Sequence, residues 1–241
     1  MNVKSIFVML VGCAVLSAPS LEARAEDNAV IKGKVIFKGD ADKFKRSEID
    51  TSKDTNCKKK IGSYEVILNK KTDPVTIRNV VVSIKEGLGD KKYPPKTEPF
   101  KLTQVNCEYD PHIIAIMEGQ SVKILNGDDT NHNIHFQPKK NAEENFSQPK
   151  KDTEVGKELK FVQEEPFKVK CDVHPWMGAH VLVFPHPFFT VTGEDGAFTI
   201  SGLPPGKYVV QAWHEKFGVQ TMNVEVTSGQ TVEKDFTYEP K

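Results

Sequence analysis

Three side chains able to hold a metal share one heptapeptide: Cys171, His174 and Met177 stand at C-x-x-H-x-x-M spacing in the stretch CDVHPWM. Upstream, NHNIHF supplies His132 and His135. A thiolate, two imidazoles and a thioether form the donor set of a trigonal His-Cys-His copper site with a weak, long axial methionine. From a strand only one of His132 and His135 can turn toward such a site, because residues three apart project from opposite faces. One short loop can deliver the three donors that are close in sequence, while the remaining imidazole arrives on another strand. The folded framework, and not the metal, then sets where the donors meet.

The elements that must position these residues read as strands. Residues 30–37, 79–85, 113–116, 121–125, 167–171 and 180–184 are short β-branched or alternating runs bounded by Gly, Pro, Asn or Asp, the pattern of β-sandwiches and barrels. No long segment keeps a helical period, so the expected fold class is all-β. Two polar stretches, the Lys-rich 40–60 with Cys57 and the Asn/Glu/Lys/Pro-rich 137–156, read as surface excursions, the first with room for a helical turn. Toward the C-terminus, Glu194-Asp195-Gly196 reads as a hairpin turn and Leu203-Pro204-Pro205-Gly206 as a tight connection between strands.

Two family resemblances follow. HNIHF and CDVHPWMGAHVLV, with YDPHIIAIMEGQSVKILN upstream, resemble the cupredoxins of the amicyanin and pseudoazurin type. That resemblance implies a Greek-key copper sandwich over 99–185, with His132, Cys171, His174 and Met177 as metal ligands. Asn133 and Pro175 would then support the ligands from behind, Asn133 by tying the two ligand loops together and modulating the thiolate. The D-G-x-F-x-I and L-P-P-G-x-Y pattern resembles the carboxypeptidase regulatory-like, transthyretin-like sandwich over 186–241. That family opens with two strands that are missing there. The nearest candidates are IKGKVIF at 31–37 and NVVVSIK at 79–85 in the N-terminal segment 28–98, so the two ends are expected to form one sandwich with the middle inserted, a simple tandem being the alternative.

Each assignment has a plainer competitor: Cys171 as a buried thiol or disulfide partner, His135 as the ligand in place of His132, Met177 as a core residue, Trp176 as packing instead of a docking patch. Once Cys171 is given to the metal, the remaining Cys57 and Cys107 suit a disulfide, against two free thiols.

The 241 residues carry 33 basic and 33 acidic side chains, so nucleic acid is an unpromising partner. Residues 1–25 read as an export signal ending in Ala23-Arg24-Ala25, and no later stretch is long and apolar enough to span a membrane. A rival reading takes Leu10-Val11-Gly12-Cys13 as a lipobox, with a lipid anchor at Cys13. A periplasmic or extracellular destination follows from both.

The expected function is one-electron transfer between redox partners, a cytochrome or a dehydrogenase or oxidase, with electrons leaving through a solvent-near edge of His174 and docking on an apolar patch at Trp176. Enzymatic turnover is not expected. Cys171 is flanked by Lys170 and Asp172, where a multicopper oxidase would place histidines. The alternatives are a copper delivery protein and a cell-surface module that binds carbohydrate or protein.

Overall fold

The computed structural model describes residues 28–57 and 60–240, so the expected leader and Cys13 lie outside the described residues. Strands dominate, and the helical element among these residues is a single 3-10 turn, Ala41–Phe44, capped by the Asp40 side chain, which accepts from the Asp42 N–H. No helix among them is long and apolar enough to cross a membrane. The fold is all-β and consists of two sandwiches.

The middle sandwich sets a five-stranded sheet, in the order Glu144–Gln148, His132–Gln137, Glu165–Lys170, Gly178–Phe184, Ile113–Met117, against a four-stranded sheet in the order Asp152–Lys160, Ser121–Asn126, Phe100–Val105, Glu108–Asp110. Each sheet holds one parallel pair (Gly178–Phe184 with Ile113–Met117, Ser121–Asn126 with Phe100–Val105) among antiparallel ones, consistent with crossing Greek-key connections. Leu102, Ile114, Ile116, Ile124, Phe136 and Phe167 are among the side chains that fill the space between the sheets. The stretch 137–156, expected to be an excursion, instead contains Glu144–Gln148 and the start of Asp152–Lys160. Its polar composition reflects an edge position: most of these side chains face water while the backbone pairs inward.

The other sandwich draws on both ends of the chain. Ala29–Phe37 pairs antiparallel with Ala197–Leu203 on one side and parallel with Thr231–Glu233 and Phe236–Tyr238 on the other. Val81–Glu86 lies between Phe189–Val191 and Gly206–His214 in the facing sheet, with Gly218–Val226 beyond. Gly33 marks the tightest approach of backbones: a Cβ there would stand 2.0 Å from the Lys234 carbonyl oxygen. Inward-facing Ile31, Val35, Val82, Ile84, Val210 and Phe236 belong to the core.

A third cluster joins the two. Ile113–Met117 is buried along its whole length, which a one-sided strand cannot be. Ile114 and Ile116 point into the middle sandwich. Ile113 and Ala115, with Leu182 and Phe184 beside them, pack against Val81, Val191 and Trp213 of the other sandwich.

Candidate metal centre

Glu165–Lys170 and Gly178–Phe184 are antiparallel neighbours, and the seven residues between them form a tight loop. It closes on itself: the Cys171 N–H donates to the Met177 carbonyl (3.3 Å), and the Met177 N–H to the His174 carbonyl (2.9 Å). This brings Cys171 and His174 to the same spot at the end of the sandwich. His132 enters from the adjoining strand His132–Gln137. All three are buried, His132 fully.

The donors converge. His132 Nδ1 and His174 Nδ1 are 3.0 Å apart, and Cys171 Sγ is 3.8 Å from His174 Nδ1. The outer nitrogens decide what those inner ones are. His132 Nε2 lies 2.9 Å from an Asp128 oxygen and His174 Nε2 3.0 Å from an Asp54 oxygen, and a carboxylate only accepts, so each Nε2 carries the hydrogen. In neutral rings both Nδ1 atoms therefore present lone pairs to each other and to the sulfur. Burial holds the His132 imidazole below its ordinary pKa, which favours the neutral ring. Such a cluster of acceptors is satisfied by a cation at its centre, and the carboxylate behind each imidazole fixes the tautomer that a metal needs. Two backbone N–H groups, from Asn133 (3.4 Å) and His174 (3.3 Å), point at Cys171 Sγ and complement negative charge on it. The residues present therefore fit a soft-to-borderline metal ion.

Met177, the last residue of the loop, is buried in the same apolar cluster as Cys171. Asn133 ties the two ligand segments together: its carbonyl oxygen accepts from the Asp172 N–H (3.0 Å), and its amide donates to Asn145 (2.7 Å). Pro175 is exposed, while Trp176 is half-buried, donating its indole N–H to the Cys107 carbonyl (3.1 Å) and lying 5.1 Å from the His174 ring. Packing thus occupies much of Trp176, and the exposed apolar rim is formed by Val173 and Pro175. His135 faces away from the donors, held by Glu143 (2.6 Å) and Asp172 (3.2 Å). The charges beside the site also face outward, Lys170 pairing with Asp172 at 2.8 Å.

One expectation needs correction. His174 has no solvent-near edge; it is 3% exposed. The Lys-rich segment 40–60 is not a free excursion but folds over the loop, where Asp54 accepts from His174 and from the Thr130 hydroxyl (2.8 Å). A disulfide between Cys57 and Cys107 pins this cover, and Cys57 Sγ lies 4.0 Å from His174 Nε2. Hydrogen bonds from the Asn56 backbone, Thr130 and His174 hold the Asp54 carboxyl at about 2.

Asp54 and Asp128 are the residues that sequence reasoning missed. Asp128 had a local signal, standing four residues before His132 in an Asn-Gly-Asp-Asp turn, where its oxygens also accept from the Asn106 and Cys107 N–H groups (both 2.8 Å). Asp54, 120 residues from His174, had none.

The profile of the carboxypeptidase regulatory-like domain matches residues 172–239, which takes in the strand Gly178–Phe184 of the middle sandwich as well as the C-terminal strands. No curated protein matches the chain. Among solved structures, a purple cupredoxin from Nitrosopumilus maritimus is 25% identical over 35% of this chain and 98% of its own, with a TM-score of 0.29. A Cu(I) form of an amicyanin mutant is 18% identical over 42% of this chain and 97% of its own (TM-score 0.31). A copper-containing nitrite reductase from Thermus scotoductus is 22% identical over 42% of this chain (TM-score 0.31), and the match spans a quarter of that enzyme's length. Over residues 172–239 the chain is similar to the carboxypeptidase regulatory-like family.

Proposed function

We propose that the middle sandwich binds one copper ion through His132, Cys171 and His174, with Met177 as a weak fourth donor, and that the protein is a one-electron carrier between redox partners outside the cytoplasm. The convergence of two Nδ1 atoms and a thiolate, each imidazole backed by a carboxylate, carries this reading. Copper so held supplies a Cu(I)/Cu(II) couple. The chain's own contribution is rigidity and dryness. His132 and His174 are locked by Asp128 and Asp54, the sulfur is held by two backbone donors, and the disulfide-pinned cover keeps water from the rings. A shell that does not rearrange keeps the reorganisation cost of electron transfer low.

Because Asp54 and Cys57 cover His174, the route to a partner runs over the rim where Val173 and Pro175 are exposed, beside a cleft of about 600 Å³ that Lys53, Asp54 and Trp176 also line. A partner docking on this apolar rim would respond weakly to salt. No enzymatic turnover is part of this proposal, and export rests on the leader read in residues 1–25.

The test is the visible spectrum of the protein with Cu(II). An intense thiolate-to-copper charge-transfer band is expected, absent in Cys171→Ser and accompanied by a reversible one-electron couple in redox titration. A colourless wild-type complex would overturn the site. A coloured protein with no reversible couple would overturn the carrier role and leave copper delivery.

A further inference from the structure

A second convergence of donors lies where the two sandwiches meet. His112 directly precedes Ile113–Met117, His180 sits in the neighbouring strand Gly178–Phe184 opposite Ile113, and Glu215 directly follows Gly206–His214 of the other sandwich. One donor atom from each lies within 4.8 Å of the other two. Their side chains are 7%, 14% and 13% exposed respectively.

The hydrogen-bonding arithmetic leaves room for a cation. His112 Nδ1 is 3.0 Å from the Gly178 carbonyl, which only accepts, so Nδ1 carries the hydrogen. In the neutral ring, Nε2 is then a lone pair 2.5 Å from a Glu215 oxygen, one acceptor facing another. His180 Nδ1 is buried with no hydrogen-bond partner, 3.6 Å from the second Glu215 oxygen. A proton on His112 would satisfy the first contact and leave the His180 nitrogen orphaned. A metal ion satisfies both imidazoles and the carboxylate together. The rings are also held in place, Tyr64 stacking on His112 at 4.8 Å and Trp213 meeting His180 at 5.4 Å. A ligating imidazole that donates its other nitrogen to a backbone carbonyl is the usual arrangement at metal sites. His112 also forms part of the wall of a cleft of about 200 Å³, shared with Tyr64 and Met177, which offers a way in.

We infer that His112, His180 and Glu215 bind one divalent transition-metal ion between the two sandwiches. Two imidazoles and a carboxylate without sulfur suit zinc, and no member of the set is shared with the Cys171 site. With ligands from both sandwiches, the ion would act as a staple, adding its binding free energy to the folded state alone.

The test counts zinc. The full chain is titrated with zinc(II), dialysed and analysed for metal per protein, as wild type, Glu215→Gln and His180→Asn, with folding checked by circular dichroism. One equivalent fewer is expected in either variant than in wild type, a difference that holds whether or not the Cys171 site also takes zinc. Zinc should raise the unfolding temperature of the wild type more than that of Glu215→Gln. Equal zinc counts in wild type and a folded variant overturn the site, as does a wild type that binds none. Should both variants fail to fold, anomalous diffraction at the zinc edge of wild-type crystals decides, and no peak among the three side chains overturns it.

Discussion

Two pairs of buried histidines, one from each sandwich, spend their ring nitrogens in opposite ways. In the sandwich built from the chain ends, His186 Nε2 lies 2.8 Å from the Ile84 carbonyl while Nδ1 accepts from the Phe188 N–H at 3.2 Å. His214 Nδ1 accepts from the Lys216 and Phe217 N–H groups, and its ring stacks on Phe217. These imidazoles complete the backbone's own hydrogen bonding. In the middle sandwich, His132 and His174 give their outer nitrogens to carboxylates and aim the inner ones at each other and at a sulfur. Burial alone therefore does not distinguish a histidine free to ligate a metal from a structural one; the partner of the second nitrogen does.

The comparison can be broken at several points, the largest effect first. Replacing Cys57 and Cys107 by serine opens a loop with a sequence separation of 50, which by chain entropy costs about 4 kcal/mol. Chemical denaturation should show that loss, and stopped-flow chelation should show metal leaving the Cys171 site faster, since the cover over His174 is no longer pinned. Unchanged release would mean that the cover does not guard the site.

Gly33→Ala acts on the other sandwich. Its Cβ would meet the Lys234 backbone, so a strand must shift, at a cost of about 3 kcal/mol. The charge-transfer band of the copper-loaded protein should be unaltered, and a changed band would show that the two sandwiches are coupled.

The histidines themselves give the sharpest contrast. His186→Leu leaves the Ile84 carbonyl and Phe188 N–H without their partner, a loss of about 1–3 kcal/mol in denaturation with copper binding retained. His132→Leu should abolish the band while costing the metal-free protein less, since it removes a lone-pair conflict. Acid separates the pair further. Burial lowers the His186 pKa, so the unfolded chain takes the proton first; the stability from this group is present above about pH 6.5 and is lost as pH falls below it. Denaturation midpoints of His186→Leu should lack that part of the fall.

The smallest effect belongs to Asp54→Asn. With its folded pKa near 2, below that of the unfolded chain, the carboxylate contributes stability above about pH 4 that is lost as pH drops toward 2. The variant should be about 1–2 kcal/mol less stable at neutral pH, with a flatter acid limb, as followed by circular dichroism.

The sequence carries these features unevenly. The strands around the site were readable because alternation and turn residues are local, and the heptapeptide from Cys171 to Met177 carries its donors within one loop. The segment 137–156 misled because an edge strand is recognised by its backbone partners and not by its side chains. The segment 40–60 misled for a related reason: Lys-rich composition described its outer surface, while Asp54 and Cys57 on its inner side cover His174.

What the sequence determined by itself is therefore chemical identity and local geometry: an all-β chain, a Cys-His-Met loop between two strands, and a choice between His132 and His135. Tertiary structure decided which histidine turns inward, which carboxylates hold the rings, and how deeply the site is covered. It also brought His112, His180 and Glu215 together from the two sandwiches. The reason is physical. Side-chain type and strand period act over a few residues, whereas the tautomer of a buried imidazole is set by whatever acceptor the fold places behind it, and for His174 that acceptor is 120 residues away.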